Sequence, residues 1–176
     1  MKQHIYLITG LMASGKSTVA QLLAQTLDKA VHLRGDVFRR MIVSGREDMR
    51  ENPPMEALEQ LYLRYQLTAQ TAKMYFDHGF SVVLQDNYYG PALTHMLEFM
   101  EDYPVQVVAL CPDCDTIRRR EANREKKGYT GFDVESLYAS FMAETPRIGL
   151  WINNADLTAQ QTVDRILNAE KTERKV

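Results

Sequence analysis

One octapeptide constrains this chain more than any other stretch: Gly10-Leu11-Met12-Ala13-Ser14-Gly15-Lys16-Ser17. It satisfies G-x-x-x-x-G-K-[ST] in full. It stands between an apolar run that reads as a strand and a periodic segment that reads as a helix. Glycines open backbone angles that a Cβ forbids, so successive N–H groups can turn inward around phosphate oxygens. The helix N-terminus adds partial positive charge. Lys16 sets a full charge near the β- and γ-phosphates, and the Ser17 hydroxyl suits Mg²⁺. The nucleotide-binding residues expected are Gly10, Met12, Ala13, Ser14, Gly15, Lys16, Ser17 and Thr18.

This cradle also accounts for the apolar N-terminus. Gln3 to Gly15 holds 13 residues without a charge, too short for a membrane span of about 20. A buried first strand explains it better than a secretory leader. A length of 176 residues suits one domain, 1–176. The net charge of −2 lacks the basic excess of a nucleic-acid module. Cys111 and Cys114 are too few for a four-ligand zinc site or a disulfide framework, and no thioredoxin-type unit surrounds them. A cytoplasmic monomer or homodimer, with no nucleic-acid or membrane partner, is expected.

Short apolar runs alternate with longer helical patterns, the rhythm of a parallel sheet with crossover helices. The strands expected are His4–Ile8, Ala30–Leu33, Phe80–Gln85, Val105–Leu110 and Ile148–Ile152. Helices are expected over Ser17–Leu27 and Met55–Asp77, from Pro91, and after a Thr158/Gln161 capping box. The Met55–Asp77 helix repeats Met55, Leu58, Tyr62, Tyr65, Ala69, Ala72 and Phe76 as a core stripe, and Gly79 caps its end. His32 is expected in the core, while His4, His78 and His95 lack ligand spacing. The class is a three-layer α/β domain with five strands.

Five segments surround the expected nucleotide. Ser81–Gln85 is an apolar strand ending in Asp86, where a carboxylate could hold metal or cap the next turn. The second strand runs into Arg34-Gly35-Asp36, with Arg39 and Arg40 one helical turn on. That places a carboxylate and two guanidiniums at a strand's C-terminal end, as an acceptor site or as a helix cap with surface arginines. Residues 44–52 form a charged loop, either a lid or a solvated connection. Asn87, Tyr88 and Tyr89 either line the crevice or pack in the core. Arg118–Lys127 forms a basic helix broken by Gly128-Tyr129-Thr130-Gly131, on which Arg120 and Arg124 share a face and could close over phosphates.

With these residues in place, the chain resembles the small P-loop phosphotransferases. The chloramphenicol phosphotransferase-like group is nearest in kind, and the zeta-toxin, gluconate and shikimate kinases are its neighbours. The resemblance implies the P-loop NTPase fold with strand order 2-3-1-4-5. It implies ATP and Mg²⁺, with Ser17 and Asp86 on the metal. Catalytic roles carry over onto Asp36 as base on an acceptor hydroxyl, Lys16, and the lid arginines Arg120 and Arg124. Substrate contacts fall to Arg39, Arg40, Asp86 and Tyr88, within a substrate-side segment 36–78 and a lid 115–132. The departures are equally definite. Adenylate kinases carry D-G-F-P-R where Asp86 is followed by Asn87-Tyr88-Tyr89, shikimate kinases carry a glycine triplet there, and no N-K-x-D guanine signature appears. The activity implied is phosphorylation of a small-molecule hydroxyl. A nucleoside-monophosphate kinase and a nucleotide-binding regulatory or toxin-like module are the alternatives.

Overall fold

The fold follows from a central strand with nowhere to face but protein. In the computed structural model, which describes residues 3–125, 128–129 and 131–173, all six residues of β1 (Ile5–Gly10) are buried. Ile5 and Leu7 point to one side of the sheet and Tyr6 and Ile8 to the other, as a strand's period of two requires. Burial on both faces demands a helical layer on each.

The chain supplies them in order: α1 (Lys16–Thr26), β2 (Ala30–Arg34), α2 (Asp36–Arg40), α3 (Met55–Asp77), β3 (Ser81–Gln85) and α4 (Pro91–Glu98) come first. β4 (Val105–Leu110), α5 (Cys114–Ala122), α6 (Val134–Glu144), β5 (Leu150–Ile152) and α7 (Ala159–Glu173) complete it. The five strands are parallel in the order β2-β3-β1-β4-β5. Tyr65, Ala69 and Ala72 of α3 and Leu93 and Met96 of α4 cover one face; Val19, Ala20 and Leu23 of α1 and Val163 and Ile166 of α7 cover the other. The chain leaves β1 for β2 on one side and, after β3, crosses to β4 on the other, so a crevice opens above the C-terminal end of β1. A third cluster, Leu11, Ile117 and Phe141, joins the end of β1 to α5 and α6.

Local signals settle several boundaries. Phe80 N–H reaches Tyr75 O at 3.1 Å and Gly79 N–H reaches Phe76 O at 2.9 Å, a Schellman end to α3 with Gly79 at φ +83°. Thr158 and Gln161 bond reciprocally at 2.9 and 3.1 Å, forming the expected capping box.

Elsewhere tertiary context overrides pattern. β1 runs two residues beyond Ile8, and β5 starts at Leu150 because it pairs only with Val108–Leu110. β2 is an edge strand, so His32 is half-buried, not core, and its ring bonds Gln21 at 2.8 Å. The expected stripe on α3 holds only from Tyr65 onward, while Met55, Leu58 and Tyr62 are exposed. A 23-residue helix is about 35 Å long and a five-residue strand about 17 Å, so the N-terminal half of α3 projects past the sheet. α6 has no counterpart in the sequence reading, although Asp133 caps it by accepting from Ser136 N–H at 2.8 Å. The basic helix stops at Ala122, five residues early. Lys126, Lys127, Thr130 and the tail Arg174–Val176 lie outside the described residues. Among those described, no helix is long and apolar enough to cross a membrane.

The third cluster is small and depends on one ring. Phe141 is buried and stacks on Trp151 at a centroid distance of 5.3 Å. Phe141→Ala is expected to lower the unfolding free energy by about 3–5 kcal/mol, measured by urea denaturation.

Candidate functional site

The cradle takes its shape from backbone that side chains would obstruct. Gly10 sits at φ +139°, and a Cβ there would meet the Leu110 carbonyl and Ser14 Oγ. Ala13 is left-handed at φ +64° despite its methyl group, which costs on the order of 1 kcal/mol. Lys16 Nζ donates to Gly10 O and Leu11 O, both at 2.7 Å, drawing the loop around its own ammonium. Burial pushes Lys16 down to about 7; Asp86 opposes that shift and Arg124 adds to it. Ser17 and Thr18 lie exposed in the first turn of α1.

Beside the cradle, β2 and β3 end in two carboxylates brought together by a glycine. A Cβ on Gly35 would collide with the Asp86 carboxylate, so the absence of a side chain lets the two strand ends close. Asp86 is 6% exposed and is gripped by Arg64 of α3, Nε–Oδ2 at 3.0 Å and Nη2–Oδ1 at 3.1 Å. Asn87 N–H adds a bond to Oδ1 at 2.8 Å. Burial pushes the Asp86 carboxyl above its usual range, against the pull of Arg64, Asn87 N–H and Lys16. Asp36 opens α2, with Arg39 Nε on Oδ1 at 3.2 Å and Arg40 Nε on Oδ2 at 3.1 Å. Burial alone would raise its pKa, but the Arg39 bond and the charges of Arg39, Arg40 and Arg64 hold it below the ordinary carboxylate value.

The charged loop at 44–52 is pinned at several points. Gln60 donates to Gly45 O at 2.7 Å and accepts from Glu47 N–H at 2.9 Å, while Arg39 also pairs with Asp48.

Across the cradle, the basic segment divides. Arg120 donates to Ser14 O at 3.2 Å and to Asn154 O at 2.9 Å, bracing the cradle against the loop after β5. Asn154, itself buried, also donates to Ser14 O, at 2.9 Å. Arg124 follows the end of α5 and pairs with Glu121 at 2.8 Å. The two arginines therefore do not share a helix face. Burial would raise Glu121, but N–H bonds from Gly128 and Tyr129 and the Arg124 pair hold it below its ordinary value. Tyr129 O–H donates to Met12 O at 2.8 Å, tying the segment after α5 to the loop.

Of the residues anticipated from sequence, the structure gathers Lys16, Asp36, Asp86 and Arg124 close enough for their charges to form one linked set. It does not bring Tyr88 to the crevice. That ring is fully buried against Tyr65 at 5.1 Å, because Thr9 Oγ1 donates to Tyr88 O at 2.5 Å and turns the segment inward. Arg64, Glu121, Tyr129 and Asn154 went unassigned. Only Arg64 left a trace, as the lone charge between Glu59 and Lys73. Cys111 and Cys114 are free thiols, and burial pushes Cys111 up.

Residues 5–142 match the AAA_33 family, described as an AAA domain. The chain belongs to that family. Its strand order and cradle are those of P-loop kinases, and solved structures of such proteins share the fold. A sugar kinase from Janibacter sp. HTCC2649 superposes with a TM-score of 0.67 at 17% identity, over 95% of this chain and 94% of that one. A tunicamycin resistance protein from Deinococcus radiodurans gives 0.69 at 14% identity, over 96% and 95%. Shikimate kinase from Bacteroides thetaiotaomicron gives 0.64 at 17% identity, over 96% and 98%. No curated protein matches by sequence.

For this AAA_33 member the buried Arg64–Asp86 pair generates a test. Arg64→Met strands a buried carboxylate and is expected to lower the unfolding free energy by about 3 kcal/mol in urea. Adding Asp86→Leu removes the stranded charge and is expected to recover at least half of that loss.

Proposed function

We propose that this protein is a single-domain, ATP- and Mg²⁺-dependent kinase that moves the γ-phosphate of ATP to a hydroxyl of a small molecule. The observation that carries the reading is the placement of Asp86 at the C-terminal end of β3, where it interacts with both the cradle lysine and Asp36. A P-loop kinase fold supports nucleotide-dependent phosphotransfer, and the solved neighbours include kinases named for sugar and shikimate.

The roles follow from position. The cradle amides and Lys16 hold the phosphates, as preorganised charge that costs no reorganisation at the moment of transfer. Ser17 is exposed and Asp86 offers a hard oxygen nearby, a donor set that fits Mg²⁺ held partly through water. When bound, the ion neutralises charge on the β- and γ-oxygens. Asp36 receives the acceptor hydroxyl. Arg40, 52% exposed at its side chain, is the partner best placed to yield an oxygen of Asp36 to the substrate. The acceptor oxygen bonds the γ-phosphorus, the bond to the β,γ-bridging oxygen breaks, and the hydroxyl proton passes to Asp36. ADP leaves. Arg124, beside Lys16, stabilises charge on the transferring group, while Arg120 braces the cradle. A cytoplasmic location accords with the use of ATP.

Purified protein incubated with ATP, Mg²⁺ and a panel of sugars, nucleosides, nucleoside monophosphates and aminocyclitol or phenylpropanoid antibiotics is expected to phosphorylate a hydroxyl of one class. Asp36→Asn should leave ATP affinity within about twofold while cutting transfer by about 10²–10⁴. Undiminished turnover removes Asp36 from the mechanism. Lys16 gives a pH signature. The bound polyphosphate favours its charged form, so above pH 7 binding must take up a proton. ATP affinity is expected to be level below that point and to weaken above it, by at most about tenfold per pH unit. Calorimetric titrations at pH 6 to 9 in buffers of different ionisation enthalpy measure both affinity and proton uptake.

A further inference from the structure

α3 leaves to solvent a face that carries no charge over its middle turns. Between Glu59 and Lys73 the exposed residues are Tyr62, Leu63, Gln66, Leu67 and Gln70. Leu63 is 47% exposed and Leu67 41%. The one charge in that interval, Arg64, is turned inward onto Asp86. Solvated helix faces normally carry charge, and an uncharged one this long is costly to leave in water. Leu63, Gln66, Leu67, Ala69 and Gln70, with Phe99 at the end of α4, line a shallow groove of about 310 Å³ along it.

The ends of this face identify what fits it. Glu59, Gln66 and Lys73 are spaced by seven, so they lie in one line along the helix. Glu59 forms no ion pair among the described residues. Lys73 also lacks one among the described residues, its ammonium resting 5.3 Å from the Tyr103 ring. An antiparallel copy of α3 with Gln66 on the axis sets Glu59 opposite Lys73 of the partner subunit, and by symmetry does so twice. A parallel pairing would oppose Glu59 to Glu59 and Lys73 to Lys73. We infer that the protein is a twofold homodimer in which α3 packs antiparallel on α3 of a second copy. The leucines of each copy fill the groove of the other, and the two Glu59–Lys73 pairs set the register. This rests on α3 alone and stands apart from the kinase reading.

The test is sedimentation velocity on the full chain over about 1–100 µM, the affinity range of modest interfaces. The wild type should sediment at twice its 20.2 kDa mass. Glu59→Lys and Lys73→Glu, each turning two attractions into repulsions, should weaken the dimer by about tenfold or more. The double swap E59K/K73E should restore it, and Gln66→Glu, which sets two like charges on the axis, should leave monomers. Far-UV circular dichroism keeps folding separate from assembly, since all three positions are at the surface. A wild type that stays monomeric, a dimer indifferent to these changes, or a double swap that fails to restore assembly overturns the proposal.

Discussion

Arg64 reaching from α3 to Asp86 at the tip of β3 is the contact around which the crevice is organised. Both side chains are nearly out of water, at 11% and 6% exposure, so each would be costly alone. One guanidinium N–H bonds Oδ1 at 3.1 Å, Nε stands 3.0 Å from Oδ2 as a charge contact, and Asn87 N–H adds a second bond to Oδ1. The pair fixes where the projecting half of α3 stands relative to the sheet. Its field reaches further, since Arg64 lowers Asp36 while Asp86 raises Lys16. A single ion pair thus acts electrostatically on the cradle lysine and on the carboxylate that opens α2.

The opposite wall uses backbone carbonyls instead of charge pairs. The carbonyls of Met12 and Ser14 both accept hydrogen bonds from side chains outside the cradle. Tyr129 satisfies the first, and Arg120 and Asn154 the second. Buried carbonyls seldom go unpaired, so the cradle's shape depends on Tyr129, on Arg120 and on the segment after β5. Glu121 in turn ties the lid backbone to Arg124. Gly128 and Tyr129 are thereby tied through Glu121 to Arg124 and through the Tyr129 hydroxyl to the cradle.

Several features were legible before any coordinates. Gly10 and Gly15 both have positive φ, and the capping box at Thr158 and the Gly79 end of α3 lie where their letters place them. β4 runs from Val105 to Leu110 and α3 from Met55 to Asp77. Misreadings came where periodicity had to stand for surroundings. Met55, Leu58 and Tyr62 repeat as a core stripe, yet no sheet lies beneath them. Tyr88 stands beside Asp86 in sequence but faces the core, since a backbone bond from Thr9 sets its direction. Arg120 and Arg124 share a face only if the helix continues, and it stops at Ala122.

What the sequence by itself determined is local: a phosphate cradle, the elements on either side of it, and strand-end carboxylates at Asp36 and Asp86. Each of these rests on residues within a few positions of one another, where backbone sterics and capping act. Which side-chain donor attends which acceptor was decided only by tertiary structure. Arg64 meets Asp86 across 22 residues, Arg120 meets Ser14 across 106, and Asn154 meets Ser14 across 140. Arginine side chains are long and their partners numerous, so composition leaves the pairing open. Closure of the sheet brings one acceptor within reach of each and removes the water that would otherwise satisfy it.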